Sequence, residues 1–194
     1  MSSFFALFSR MKYINRWSLM RNTERESLSH HSLETAAVAH ALAVIGNARL
    51  GKNYNADRVC VMGVYHDMPE IITGDMPTPV KYYNSEIRRA FGEIEKNTER
   101  ALTEALPEDL RPAYRGLIGS ESSDAELHKL LKAADKISAL IKCIEEKRAG
   151  NAEFDAAYDS TLKAINALEC SEANIFLEEF IEAYNKPLDS LTVH

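Results

Sequence analysis

The stretch SDAELHKLLKAADKISALIKCIEEKRAGN, residues 123–151, decides the fold class. It opens on the S-x-x-E form of a capping box, Ser123 with Glu126, and stops at Ala149-Gly150-Asn151. Between these signals Leu127, Leu131, Asp135 and Ser138 recur at helical spacing on one face. The pattern predicts a strong helix over 127–147. An aspartate on such a stripe is costly to bury unless it is paired or bound to a metal.

The same periodicity spreads outward. His31, Thr35, Val38, Leu42 and Ile45 read as one helix face, bracketed by Gly46 and Gly51. Asn55 or Asp57 would cap a second helix running through Val59, Met62 and Val64 to His66-Asp67, where Pro69 breaks or restarts it. The Gly/Pro cluster at 73–79 predicts a loop. Residues 85–106 read as a long polar helix ended by Pro107, followed by a short helix around 110–117 and two more over 153–168 and 171–184. The opening MSSFFALFSRMKYINRW reads as an amphipathic helix, because Arg10 and Lys12 follow its apolar part instead of preceding it as in a signal peptide. No run alternates as a strand should. The expectation is all-α, a helical bundle forming a single domain over 1–194.

Composition narrows the partners. A chain of 194 residues with 45% hydrophobic and 27% charged residues can bury a core without staples. Its net charge of -6 argues against a binder of polymeric nucleic acid or of an anionic membrane. No stretch reaches the roughly 20 apolar residues of a membrane span. Cys60, Cys143 and Cys170 are odd in number and lack C-x-x-C spacing, which fits a reducing, cytoplasmic setting.

His31, His66, Asp67 and Asp135 therefore lie on three helices that a bundle can turn toward one volume. Singly, each has a plainer reading as a hydrogen-bonded core histidine or a capping or ion-paired aspartate. Together, two imidazoles and two carboxylates suit Mn, Fe, Co, Ni or Zn better than Ca. Such a site would leave room for water and a phosphate oxygen, a route to phosphate ester hydrolysis.

The order H…HD…D resembles the HD-domain metal-dependent phosphohydrolases. FFALFSRMKYINRWSLMRNT, SHHSLETAAVAHALA, YHDMPEIITGDMPTPVKYYNSEI and LLKAADKISALIKCIEE, spread from residue 4 to about 150, resemble the YfbR-type 5′-deoxynucleotidases. The resemblance implies an HD-domain helical bundle and one divalent transition metal ion, Co2+, Mn2+ or similar, on His31, His66, Asp67 and Asp135. It implies hydrolysis of deoxyribonucleoside 5′-monophosphates to deoxyribonucleoside and phosphate, and a cytosolic homodimer. Arg16 and Trp17 match a substrate-contacting pair, and Asp75, Met76, Pro77 and Thr78 a substrate loop. Glu70 matches a carboxylate needed for turnover, acting with Arg16 and Asp67. His31, Asp67 and Asp135 would also face the substrate.

Chemistry makes these roles sensible. Arg16 offers a planar donor fork to a phosphate dianion. Trp17, the sole tryptophan, would pack on the sugar and exclude a 2′-hydroxyl. Asp75 would accept a hydrogen bond from the 3′-hydroxyl, and Glu70 would relay a proton. The sequence departs from the family at Ser18, where Pro is common, and at His30, where Glu is usual. Loss of that Glu would remove a carboxylate that orients a ligand imidazole, and it leaves two adjacent histidines. The Ser-Leu-Glu register that follows favours His31. Two alternatives stand beside this reading. One is an HD hydrolase of a cyclic nucleotide or guanosine polyphosphate, for which His40, His128 and His194 lack a second-metal motif. The other is a non-catalytic domain that binds metal or nucleotide.

Overall fold

The computed structural model describes residues 1–81, 83–119 and 124–191. Among them the chain is helical, with one isolated antiparallel bridge between Asn15 and Ser27 and no sheet. The α-helices are α1 (Phe4–Phe8), α2 (Leu28–Arg49), α3 (Ala56–Tyr65), α4 (Glu70–Thr73), α5 (Thr78–Lys81), α6 (Ser85–Glu104), α7 (Arg111–Tyr114), α8 (Ala125–Arg148), α9 (Asp155–Asn166) and α10 (Ser171–Glu179).

Short polar side chains start the long helices. Ser27, Asn55, Asn84 and Asp124 each accept a hydrogen bond from the backbone N–H three residues on, opening α2, α3, α6 and α8. Each such cap is worth about 1 kcal/mol. The cap of α8 is thus Asp124; Ser123 lies outside the described residues. Gly150, at φ +81°, ends that helix, and Asn151 N–H returns to the Glu146 carbonyl at 2.9 Å.

Helices α2, α3 and α8 form the centre. Leu42, Val59, Met62, Leu131, Ile137 and Leu140 join Ile165 of α9 and Phe176 of α10 in one buried cluster. A second cluster of Phe4, Met11, Leu28, Met68, Leu102 and Leu106 ties α1 and α6 to the start of α2 and to the turn after α3. The crossing of α2 and α3 is tight at one point. A Cβ on Gly63 would lie 2.6 Å from the Ala36 Cα and 2.8 Å from its backbone nitrogen.

Four expectations need correction. The N-terminal helix stops at Phe8, passes into a 3-10 turn over Ser9–Tyr13, and gives way to an extended strap. The strap exists because Arg16 N–H donates to the Glu26 carbonyl and Leu28 N–H to the Ile14 carbonyl, both at 2.9 Å, which a continued helix would forbid. The 73–79 segment is not all loop: α4 ends at Thr73 and α5 begins at Thr78, with Pro79 in the first turn, where its missing N–H costs nothing. The segment around 110–117 holds a single helical turn, Arg111–Tyr114. The last helix ends at Glu179 and continues as a 3-10 turn over Ile181–Asn185.

The middle of the strap is fastened to α8. Glu146, 1% exposed, accepts from Thr23 N–H and Oγ1 and from Asn151 Nδ2, and it is ion-paired with the buried Lys142. Burial opposes ionisation of Glu146, but these donors outweigh it and bring its pKa down to about 2. Lys142 Nζ also donates to the Glu24 carbonyl at 2.6 Å.

Replacing a helical glycine by alanine ordinarily gains about 0.5–1 kcal/mol. Here Gly63→Ala is expected to lose about 1–2 kcal/mol, because the new methyl meets α2 backbone that cannot yield as a side chain can. Urea unfolding of the two proteins measures the difference; a gain would show that the helices separate freely.

Candidate active site

α2, α3 and α8 bring the four sequence-selected residues together. His31 lies in the first turns of α2 and its side chain is fully buried, whereas His30 is exposed. His66 caps α3, Asp67 sits in the turn before Pro69, and Asp135 arrives from α8. His31 Nε2 is 3.1 Å from Asp135 Oδ1 and 3.5 Å from Asp67 Oδ2, and His66 Nε2 is 3.1 Å from Asp67 Oδ1. The two imidazole centroids are 5.3 Å apart. Ligand atoms of His31, His66 and Asp67 all fall within 4.8 Å of one another, and Asp135 joins them through His31.

The donor set fits a divalent transition ion. His66 Nδ1 is occupied by the Gly63 carbonyl at 2.8 Å, so it carries the proton and the lone pair is on Nε2. That Nε2 is buried and, although 3.1 Å from Asp67 Oδ1, is not aligned for a hydrogen bond with it. On His31, Nδ1 meets Ser138 Oγ at 3.0 Å, and Ser138 in turn donates to Glu34 Oε2 at 2.7 Å.

Burial and charge oppose one another throughout the cluster. Burial, reinforced by Arg16, lowers the pKa of His31. Burial also pulls on His66, but Asp67 and Asp135 outweigh it and raise its pKa. Asp67 and Asp135 are held well below the usual carboxylate range despite burial, Asp67 chiefly by His66 and Asp135 by the adjacent His31 ring and Lys136. Lys136 Nζ lies 3.0 Å from Asp135 Oδ2. Glu70, at the start of α4, behaves oppositely. Burial, then the charges of Asp67 and Asp75, push its pKa up to about 9. Its Oε2 is buried with no partner.

The strap supplies the remaining wall. Arg16 Nη1 pairs with Glu26 Oε2 at 3.1 Å. Burial would lower the Arg16 pKa, but Glu26, Asp67, Asp135 and Asp75 together raise it. Trp17 has φ +59°, a strained conformation for a bulky residue that costs on the order of 1–3 kcal/mol. Its backbone N–H donates to Asp75 Oδ2 at 3.0 Å and its indole N–H to Glu26 Oε2 at 2.9 Å. A cavity of about 370 Å³ opens here, lined by Arg16, Trp17 and Met20 of the strap, by Asp75, Met76, Pro77 and Thr78, and by Lys136, Ala157 and Thr161 from α8 and α9. Every residue selected from the sequence is thus in the cluster, on the cavity wall or, for Glu70, coupled by charge to Asp67, Asp75 and Arg16.

Glu26, Glu34 and Ser138 were not selected. Ser138 was visible as the residue one turn after Asp135, on the same face; the two glutamates lacked any local signal. His40 is exposed, His128 is half-buried and His194 lies outside the described residues, so the described histidines form no second cluster.

Solved HD-domain phosphohydrolases share this fold. A solved HD-domain phosphohydrolase from Listeria innocua matches with a TM-score of 0.80 at 24% identity, covering 94% of this chain and 88% of that chain. A cyanophage S-2L HD phosphohydrolase, solved bound to dA and one catalytic Zn2+ ion, matches with a TM-score of 0.66 at 18% identity, over 91% of this chain and 95% of that chain. Residues 3–184 match the family model described as 5′-deoxynucleotidase YfbR-like. A 5′-deoxynucleotidase of Erwinia tasmaniensis is 46% identical over 191 residues, 98% of this chain and 96% of the relative. The chain belongs to the YfbR-like 5′-deoxynucleotidase family.

A carboxyl whose folded pKa is raised favours folding while protonated. For Glu70 that contribution is complete below its ordinary value of 4.5 and is lost as pH rises through about 9. In chelator, urea stability is expected to fall between pH 6 and pH 9, and less steeply in Glu70→Gln. Equal slopes would refute the shift.

Proposed function

We propose that this chain is a metal-dependent 5′-deoxynucleotidase, one HD-type domain over 1–194 that hydrolyses deoxyribonucleoside 5′-monophosphates to deoxyribonucleoside and phosphate. The observation that carries this reading is the convergence of His31, His66, Asp67 and Asp135 beside a cavity walled by Arg16 and Trp17. The name of the family and of the Erwinia relative, and the dA bound in the cyanophage structure, support the substrate class.

His31, His66, Asp67 and Asp135 would hold one divalent transition ion, Co2+, Mn2+ or similar. When bound, the ion supplies Lewis-acid activation of water and of the phosphoryl group. Arg16 keeps donors beyond the one given to Glu26 and anchors the phosphate. Asp67, as one of the four ligands, would tie that ion to the turn that leads into Glu70. Glu70, buried with Oε2 unpartnered, would give a proton to the leaving 5′-oxygen as the P–O bond breaks and the water oxygen bonds to phosphorus, the water's own protons leaving with the phosphate. Trp17, fixed at both its backbone and indole N–H, packs on the sugar and excludes a 2′-hydroxyl. The Asp75 oxygen not used by Trp17 accepts from the 3′-hydroxyl, and Met76, Pro77 and Thr78 shape that side.

The same reading makes the protein a cytoplasmic homodimer. Its three free thiols support a reducing setting, and the exposed Ile72 and Ile94 beside a groove with Leu7 support an apolar contact between copies.

A panel of ribo- and deoxyribonucleoside monophosphates with several divalent ions tests the proposal. Phosphate release from dAMP is expected to exceed that from AMP at least about tenfold and to vanish on chelation. Trp17→Ala should narrow that ratio; equal turnover of AMP and dAMP by the parent would sink the exclusion role. Glu70→Ala is expected to cut kcat by about 100- to 10,000-fold while dAMP binding, read by calorimetry, stays within about threefold.

A further inference from the structure

The Nδ1 side of the buried His31 ring reaches a carboxylate through a single hydroxyl. Glu34 lies one turn further along α2 and Ser138 faces it from α8. A serine hydroxyl has one proton to give. Ser138 gives it to Glu34 Oε2 at 2.7 Å. Its oxygen is then an acceptor toward His31 Nδ1 at 3.0 Å. The proton of the neutral imidazole is thereby drawn to Nδ1, and the lone pair is left on Nε2. That nitrogen points at Asp135 Oδ1 and Asp67 Oδ2, and Thr35 Oγ1 lies 3.4 Å from it. Both His31 and Ser138 have no exposed surface, so water cannot substitute for either partner. If Ser138 had no acceptor at Glu34, its proton could turn to His31 Nδ1 and favour the tautomer with Nε2 protonated, which cannot ligate through that atom.

We propose that Glu34, acting through Ser138, is the positioning carboxylate that fixes the tautomer and aim of His31 for metal binding. The inference rests on the metal-site part of the function proposed above. An outer partner of a ligand histidine is worth about 10- to 100-fold in metal affinity.

The test measures Co2+ affinity of the full chain by chelator competition at pH 8, above the value of about 7 to which burial pushes Glu34. Glu34→Ala and Ser138→Ala are each expected to weaken binding about 10- to 100-fold. Glu34→Gln retains an acceptor for the Ser138 proton and is expected to stay within about threefold of the parent. The double Glu34→Ala/Ser138→Ala variant should bind no more weakly than Ser138→Ala alone, since both act on one path. Folded Glu34→Ala protein that binds Co2+ within twofold of the parent would overturn the proposal. Should the alanine variants not fold, the long-range 1H–15N imidazole spectrum of the Zn2+-loaded parent decides. Protonated Nδ1 with metallated Nε2 on His31 supports it, and metallated Nδ1 overturns it. None of these readouts uses substrate, so a chain that binds metal but spares deoxynucleotides would sink the proposed activity and leave this inference intact.

Discussion

The site depends on how closely α2 and α3 cross. With no side chain on Gly63, the backbones meet at Ala36, and that contact sets the separation of the two imidazoles, His31 five residues before Ala36 and His66 three residues after Gly63. Leucine-lined helices normally pack 8–10 Å apart. A wider crossing would carry the rings away from one another while leaving the apolar core largely satisfied. The core alone therefore does not specify the cluster; a missing methyl does.

That arrangement concentrates negative charge. Asp67, Asp135, Asp75 and Glu26 all act on Arg16, and Lys136 pairs with Asp135. A phosphate dianion entering such a pocket would meet more carboxylate than cation. A divalent ion would correct that imbalance; without one, burial first and then the charges of Asp67 and Asp75 raise the Glu70 pKa.

Much of this was readable before the fold was known, and the boundary is physical. His31, Asp135 and their apolar neighbours stood out because a polar group on a helical stripe is conspicuous at a spacing of three or four residues. The helices over 31–45, 85–106 and 127–147 followed from the same periodicity. Arg16, Trp17, Asp75 and Glu70 carry no such signal and were legible only through family resemblance. Glu26, Glu34 and Glu146 were missed altogether. Each earns its place by a contact across the bundle, as from Ser138 to Glu34 or Thr23 to Glu146, and such pairings depend on helix register and rotation, which periodicity leaves undetermined. The strap escaped notice for a related reason: FFALFSRMKYINRW has helical spacing, and only the return of Glu26 and Leu28 onto Arg16 and Ile14 diverts it.

The strap also gives the pocket unequal walls. Between its paired ends it is anchored by a buried ion pair, two threonine donors and an asparagine, and Trp17 is clamped in a conformation it would not choose alone. Opposite stand α4 and α5, single turns with no buried residue, separated by Gly74 at φ +71°. The cavity is thus walled by a heavily bonded strap on one side and by lightly packed turns on the other, like a vice with one fixed jaw. The fixed jaw bears Arg16 and Trp17, so on the function proposed above the gauge against which a sugar would be measured is set by folding itself.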